Sequence, residues 1–109
     1  MFSNIRSLIF KIDPETAHGL AIKSLKFNFI PNIIQEEKNN PIFKTKLFNR
    51  DIDNPIGMAA GFDKNAEVYN SLFKLGFGFV EVGTVTPLKQ YGNPKPRVFR
   101  LVEDEALIN

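Results

Sequence analysis

The spacing of apolar residues predicts two short helices within the first thirty positions. The first helix would carry Ile5, Leu8, Ile9 and Ile12 on one face, because these residues are three or four positions apart. Asp13, Pro14 and Glu15 then have the composition of a helix start: an N-cap acid, a proline in the first turn and an acid at the positive end of the helix dipole. The apolar face of this second helix is formed by Ala17, Leu20, Ala21 and Leu25. It should end near Phe27, because Pro31 cannot continue a helix.

The stretch around these helices carries more apolar side chains than two short helices can bury between them. The excess consists of Phe2, Phe10, Phe27, Phe29, Ile30, Ile33 and Ile34. Basic residues also outnumber acidic ones over this stretch. Two interpretations stay open: a helical cap that packs on a larger domain, or a surface that touches lipid or a lipophilic ligand.

Strand and helix patterns alternate after a polar break at 36–41, which we interpret as a linker. Residues 42–53 predict one or two short strands with a turn near 49–51. The elements predicted beyond this point are a strand at 56–60, a helix at 66–75, a strand at 79–82 and a short strand pair at 98–102 and 106–109. Gly76 is suited to the C′ position of the helix.

The strand–helix–strand order is a βαβ unit, whose two strands should be parallel and buried. A small α/β domain and the front part of a larger fold are both consistent with this order. Two parallel strands alone would expose both edges, so we favour the larger fold. A (β/α)₈ barrel, which typically has about 250 residues, is one such fold.

Composition excludes several kinds of site. The chain has no cysteine and one histidine, which excludes disulfides, cysteine nucleophiles, thiolate metal sites and multi-histidine metal sites. A formal net charge of +2 is too small to indicate nucleic-acid binding by itself. No apolar run approaches the roughly 18 residues of a membrane-spanning helix, although attachment to a membrane surface stays open.

The run MAAGFDKN, at 58–65, places small residues where the first strand of the βαβ unit ends. Ligands bind at the carboxyl ends of parallel strands, and Ala-Ala-Gly would let a flat ligand approach the backbone closely. Lys64 would add a cation over such a ligand. The alternative is structural: Gly61 makes a tight turn, Asp63 or Asn65 caps the next helix, and Lys64 is solvated.

The segment GTVTP, at 83–87, repeats this arrangement after the second strand. Thr84 offers a hydroxyl and a backbone N–H to a phosphate or a carbonyl, unless the segment is an ordinary turn. The chain has neither GxxxxGK[ST] nor GxGxxG, so binding of a nucleoside triphosphate or NAD has no local support.

Several runs taken together resemble the quinone-linked (class 2) dihydroorotate dehydrogenases. They are DPETAH, NPIGMAAGFDKN, GFGFVEVGTVTP, GNPKPRVFRL and ALIN, in this order and with unbroken spacing over nearly the whole chain. The resemblance implies an α/β fold: the start of a (β/α)₈ TIM barrel, incomplete in this chain, preceded by a short N-terminal helical domain for membrane and quinone access. The predicted domains are 1–38, the helical region, and 39–109, the first part of an FMN-binding barrel.

The function that the resemblance implies is oxidation of dihydroorotate to orotate in pyrimidine biosynthesis, with FMN as cofactor and membrane ubiquinone or menaquinone as electron acceptor. The residues implied to contact FMN are Ala60, Gly61, Phe62, Asp63, Lys64 and Thr84. Lys64 and Asn109 are implied to contact the substrate. The family's serine base belongs to a later loop, so no catalytic residue is expected in this chain, and the chain alone is expected to be inactive.

Two further residues match the quinone tunnel of that family, His18 and Arg100. Each has a structural alternative: His18 as a partly buried core residue, and Arg100 as the partner of Glu103 or Asp104. The resemblance also implies a peripheral membrane protein, on the cytoplasmic face of the inner membrane in a bacterium, with no metal and no nucleic-acid partner.

Two rival functions stay open. One is a different FMN barrel, such as a soluble class 1 dihydroorotate dehydrogenase or an α-hydroxy-acid oxidase; the N-terminal helical pair argues against it. The other is a membrane-surface or interaction module without catalytic activity.

Overall fold

The computed structural model describes residues 2–27 and 41–109, with side chains from residue 6 onward. The chain forms two compact units. The terminal unit comprises Met1–Ala21 together with Thr86–Asn109, and the central unit comprises Ile22–Val85. The predicted linker at 36–41 and the domain boundary at 38/39 fall almost wholly in 28–40, outside the described residues, so the two-domain division stays a prediction.

Two helices open the chain, α1 (Phe2–Ile9) and α2 (Pro14–Lys26). The backbone N–H of Thr16 donates to the Asp13 carboxylate at 2.8 Å, which confirms Asp13 as the N-cap of α2. Hydrogen bonds from the backbone and the side chain of Thr16 hold the pKa of Asp13 below its ordinary value. Phe27 lies in the turn that follows Lys26, as the position of Pro31 predicted.

The C-terminal residues form an antiparallel hairpin in the terminal unit. Its strands are β5 (Phe99–Leu101) and β6 (Ala106–Ile108), with Arg100 opposite Leu107. The predicted strand pair at 98–102 and 106–109 is therefore confirmed.

An ion-pair cluster joins the start of α2 to the segment before β5. The Glu15 carboxylate lies 2.6 Å from Arg97 Nη2 and 3.2 Å from Lys95 Nζ. The hydrogen bond from Arg97 holds the pKa of Glu15 below its ordinary value and raises that of Arg97. Glu15 thus has a specific partner in addition to the helix dipole.

Glu15 should make stability depend on pH in a defined direction. A depressed pKa means that the folded state binds the proton less readily, so the stabilisation is complete above the ordinary value of 4.5 and is lost as the pH falls through the folded value. We expect Glu15→Gln to lower the Tm at neutral pH and to leave it nearly unchanged well below pH 4.5. Glu103 is exposed, so Glu103→Gln is the control and should leave the Tm nearly unchanged at both pH values. A Tm difference that is constant across this range would contradict the assignment.

The central unit begins with a 3₁₀ turn at Pro41–Phe43 and a hairpin of β1 (Thr45–Leu47) and β2 (Arg50–Ile52). Thr45 lies opposite Ile52 in this antiparallel pair. The connecting residues Phe48 and Asn49 have φ angles of 47° and 61°, as two-residue hairpin loops require. The predicted strands are confirmed, and the turn lies about one residue earlier than expected.

The predicted βαβ unit is present but shorter than expected. Parallel strands β3 (Gly57–Met58) and β4 (Phe79–Val80) flank α3 (Tyr69–Lys74). The prediction that the helix starts at residue 66 is wrong, because Ala66 has a φ of 57°, which an α-helix does not admit. Gly76, with a φ of 105°, donates its N–H to the Phe73 carbonyl at 3.0 Å, which confirms its C′ position.

The core of the central unit is small. Its buried apolar residues are Leu25, Val68 and Leu72, and partly buried Ile22, Met58, Phe62, Leu75, Phe77 and Val80 pack against them. Ser71 donates its hydroxyl to the Leu25 carbonyl at 2.8 Å, which ties α3 to the end of α2. The described residues thus form a small α/β arrangement without a closed barrel, and the separate N-terminal helical domain stays a prediction.

Candidate functional site

The loops that follow β3 and β4 are hydrogen-bonded to each other. Gly61 donates its N–H to the Gly83 carbonyl at 3.0 Å, and Gly83 donates its own N–H to the Asp63 carbonyl at 3.2 Å. The parallel ladder leads directly into this pairing, since Glu81 donates to the Met58 carbonyl at 2.9 Å. Both loops therefore lie side by side at the carboxyl edge of the two strands, as the sequence predicted.

Asp63 is the polar anchor of the first loop. Its side chain is 1% exposed, and its two carboxylate oxygens accept the backbone N–H groups of Glu67 at 2.7 Å and Val68 at 2.8 Å. These N–H groups lie just before α3 and have no partner within the helix. The N-cap of α3 is Val68, which has no side-chain capping hydrogen bond, so neither candidate is the N-cap itself. Asp63 instead binds the backbone just before the helix, and Asn65 donates to the Glu67 carboxylate at 3.2 Å.

Phe62 also turns toward the interior, where it packs against the core of the central unit. The Phe62 ring is only partly buried, whereas the Asp63 carboxylate is buried. Contacts from Asp63 to a cofactor would therefore come from its backbone atoms. The cofactor role of both residues stays a prediction.

The outer surface of the paired loops is formed by the remaining predicted residues of this unit. Ala60, Lys64 and Thr84 are exposed. Gly61 has a φ of 102°, and a Cβ placed on it would meet no atom within 4 Å. Glycine is thus required there by backbone conformation, and the space above it is open.

A second cation lies beside this loop but is already paired. Lys26, at the end of α2, forms a salt bridge with the Glu67 carboxylate, and this interaction lowers the pKa of Glu67. Lys64 has no acidic partner among residues 6–27 and 41–109. The loop therefore presents one uncompensated positive charge to a ligand.

Arg100 of β5 contacts the turn between α1 and α2. Its Nη1 atom donates to the carbonyls of Ile12 at 2.7 Å and Phe10 at 3.2 Å, and its guanidinium lies 4.9 Å from the centre of the Phe10 ring. The alternative that Arg100 pairs with Glu103 or Asp104 is wrong, because its donors face the turn instead.

A groove of about 360 Å³ opens beside this contact in the terminal unit. Its lining consists of Arg6, Phe10, Arg100, Leu101, Val102, Glu105, Ala106 and Leu107. Arg6 lies 5.0 Å from the Phe10 ring, so two guanidinium groups lie near one aromatic side chain. The groove combines apolar walls with two guanidinium groups and the side chain of Glu105.

His18 and Asn109, the other predicted residues of the terminal unit, are placed less distinctively. His18 is half-buried on α2 and is not among the lining residues of the groove, and Asn109 is exposed just after β6. Their roles stay predictions. No described helix is both long and apolar enough to cross a membrane, and the described side chains include no cluster suited to a metal ion.

Sequence reasoning missed two ion-pair partners that shape these surfaces. Arg97 binds Glu15 across 82 positions, and Lys26 binds Glu67 across 41. Separations of this length leave no periodic signal in a single sequence.

Comparisons with known proteins agree on one family. The family model described as dihydroorotate dehydrogenase matches residues 42–109. The chain is 55% identical to dihydroorotate dehydrogenase (quinone) of Rhizobium rhizogenes, over 93% of this chain and 27% of that protein. It is 53% identical to the protein of the same name from Agrobacterium fabrum, over 100% of this chain and 30% of that protein.

Solved structures show the same likeness. Crystal structures of DHODH from Eimeria tenella, one in complex with ferulenol and one ligand-free, are each 46% identical to the chain, with TM-scores of 0.80 and 0.81. Each match covers 89% of this chain. It covers 25% of the chain in the ferulenol complex and 26% of the ligand-free chain. The resemblance noted in the sequence motifs is confirmed, and the family model matches well over half of the chain. This chain therefore belongs to the dihydroorotate dehydrogenase family.

Proposed function

We propose that this chain is the N-terminal part of an enzyme that oxidises dihydroorotate to orotate in pyrimidine synthesis, with FMN as cofactor and a quinone as electron acceptor. The chain spans between a quarter and a third of the length of the curated relatives that it matches. The observation that carries the proposal is the pair of hydrogen-bonded loops, which presents Gly61, Lys64 and Thr84 at the carboxyl edge of parallel strands. We call the whole protein the complete enzyme.

The complete enzyme would contain a (β/α)₈ barrel that begins with β3, α3 and β4. Support comes from apolar side chains that the described residues leave uncovered. In the central unit these include Phe43, Ile56 and Phe73, which are 51%, 66% and 43% exposed. Further strands and helices would cover such residues, as both faces of a parallel sheet require.

The residues present fit a flat cofactor such as FMN. Gly61 leaves open space above the backbone, Ala60 adds only a methyl group, and Thr84 offers a hydroxyl at the same edge. When bound, FMN supplies a ring that accepts a hydride. Lys64 would hold its ammonium beside that ring, where it favours negative charge.

Dihydroorotate is an anion, and its oxidation removes a proton from C5 and a hydride from C6. Lys64 would bind the carboxylate and orient C6 toward the cofactor, and Asn109 would donate its side-chain amide to the substrate. The proton would go to a base outside these 109 residues, so the chain alone should be inactive. The two electrons and two protons end on the quinone, which leaves as quinol.

The quinone would be ubiquinone or menaquinone and would reach the enzyme from a membrane surface. The groove with Phe10 and Arg100 offers apolar walls and donors for a quinone carbonyl. His18 does not line this groove, and its place on the quinone route rests on the family resemblance alone. Exposed apolar residues on the two helices, Leu8 and Leu20 at 65% and 51%, support a peripheral position on the membrane. In a bacterium this would be the cytoplasmic face of the inner membrane.

The proposal predicts a defined spectroscopic result. The complete enzyme, purified in detergent, should show flavin absorbance that bleaches when dihydroorotate is added without oxygen and recovers when a short-chain ubiquinone analogue follows. The 109-residue chain should show neither change. A complete enzyme that folds but is colourless, or whose flavin bleaches with a 2-hydroxy acid and not with dihydroorotate, would overturn the proposal.

A further inference from the structure

The segment before β5 folds around the guanidinium of Arg97. Arg97 Nη1 donates to the Tyr91 carbonyl at 2.8 Å and to the Asn93 carbonyl at 3.3 Å. Gly92, between them, has a φ of 75°, and a Cβ on it would lie 2.3 Å from the same nitrogen. Glycine therefore makes room for the guanidinium, and two hydrogen bonds join the loop to Arg97.

The opposite edge of the guanidinium binds the first turn of α2. Arg97 Nη2 and Nε approach the two Glu15 carboxylate oxygens at 2.6 and 3.4 Å, which is the fork geometry of a bidentate pair. Both side chains are 27% exposed, so solvent screens this pair only in part. Lys95 also reaches Glu15 but is 69% exposed, and its contribution should be smaller.

Arg97 and Arg100 hold two sides of the same turn between α1 and α2. Arg97 fixes Glu15, just after the turn, and Arg100 fixes the Phe10 and Ile12 carbonyls within it. Phe10 and Arg100 also line the groove, whereas Glu15 and Arg97 do not. A change in the Glu15–Arg97 pair would thus shift the groove wall without removing an atom from it.

We propose that Glu15 and Arg97 are positioning residues for the electron acceptor: their ion pair sets where Phe10 and Arg100 stand, and so sets the affinity of the groove for a quinone headgroup. This role rests on the proposed function, since it assigns the groove to the acceptor. It predicts that loss of the pair weakens acceptor binding and leaves the reaction with dihydroorotate intact.

The test compares single, conservative and reversed variants of the complete enzyme. Glu15→Gln and Arg97→Gln should each raise the KM for a short-chain ubiquinone analogue about tenfold, with kcat and the rate of flavin bleaching by dihydroorotate within about twofold of the unsubstituted enzyme. Arg97→Lys should be intermediate, because lysine keeps the charge but loses the fork. The exchange Glu15→Arg with Arg97→Glu should recover part of the loss. Lys95→Ala is the matched control and should change the KM by less than about twofold.

The outcomes separate the two proposals. If the single variants keep the unsubstituted KM, or if bleaching by dihydroorotate falls in parallel with quinone turnover, the positioning role is wrong. If the unsubstituted enzyme bleaches with dihydroorotate but reduces no quinone, the assignment of the acceptor is wrong, and the positioning role is withdrawn with it. A rise in quinone KM alone, with partial recovery in the reversed pair, would establish the role.

Discussion

Lys64→Met in the complete enzyme is expected to slow the reduction of flavin by dihydroorotate by roughly 10²–10³-fold, the loss typical for a single preorganised electrostatic group. Lys64 is exposed and has no acidic partner among the described residues, so its charge is available to the substrate anion. The loop backbone is held by Asp63 and by Gly83, so the substitution should leave it in place. Stopped-flow absorbance of the flavin under anaerobic conditions measures the effect.

Lys46→Met provides the matched control for this prediction, because Lys46 is an exposed lysine on β1, outside the paired loops. It should reduce flavin at the unsubstituted rate. Equal rates in the Lys64 and Lys46 variants would show that Lys64 is only a solvated side chain. The residues of MAAGFDKN would then have only the structural roles of a turn and a helix start.

Asp63→Ala is expected to have the largest effect on stability, lowering the free energy of unfolding by about 3 kcal/mol. The substitution leaves the N–H groups of Glu67 and Val68 without their acceptor at a site where the side chain is 1% exposed. Urea denaturation followed by circular dichroism measures the change. Flavin content should fall as well, because Asp63 also anchors the loop that carries Lys64.

Asp63→Asn and Asp53→Ala are the variants to compare with Asp63→Ala. Asp63→Asn keeps one acceptor oxygen but turns an NH₂ group toward a backbone donor, so its loss should be smaller than that of alanine but still measurable. Asp53→Ala removes an exposed carboxylate from the same unit and should change stability by less than about 0.5 kcal/mol. Similar losses in the Asp53 and Asp63 variants would contradict the role of Asp63 as the acceptor of these two N–H groups.

The sequence by itself determined the elements whose signals are local. The N-cap at Asp13, the C′ glycine at Gly76 and the hairpin turn around Asn49 depend on backbone conformation and on hydrogen bonds within a few residues. The order strand, loop, helix and strand followed from the spacing of apolar residues. The family followed from short motifs in an unbroken order along the chain. Such features are fixed by neighbours along the chain, so one sequence displays them.

Only the tertiary structure decided which side chains face a ligand and which serve the fold. Phe62, Asp63 and Lys64 stand in one motif, yet they have different surroundings. Core packing partly buries Phe62, two backbone N–H groups hold the buried Asp63 carboxylate, and Lys64 is exposed. Glu15 and Arg97 are 82 residues apart in the sequence and come into contact only in the folded chain. The pairing of Gly61 with Gly83 depends on the strand register. These contacts are set by distance in space, which composition and periodicity along a single chain do not encode.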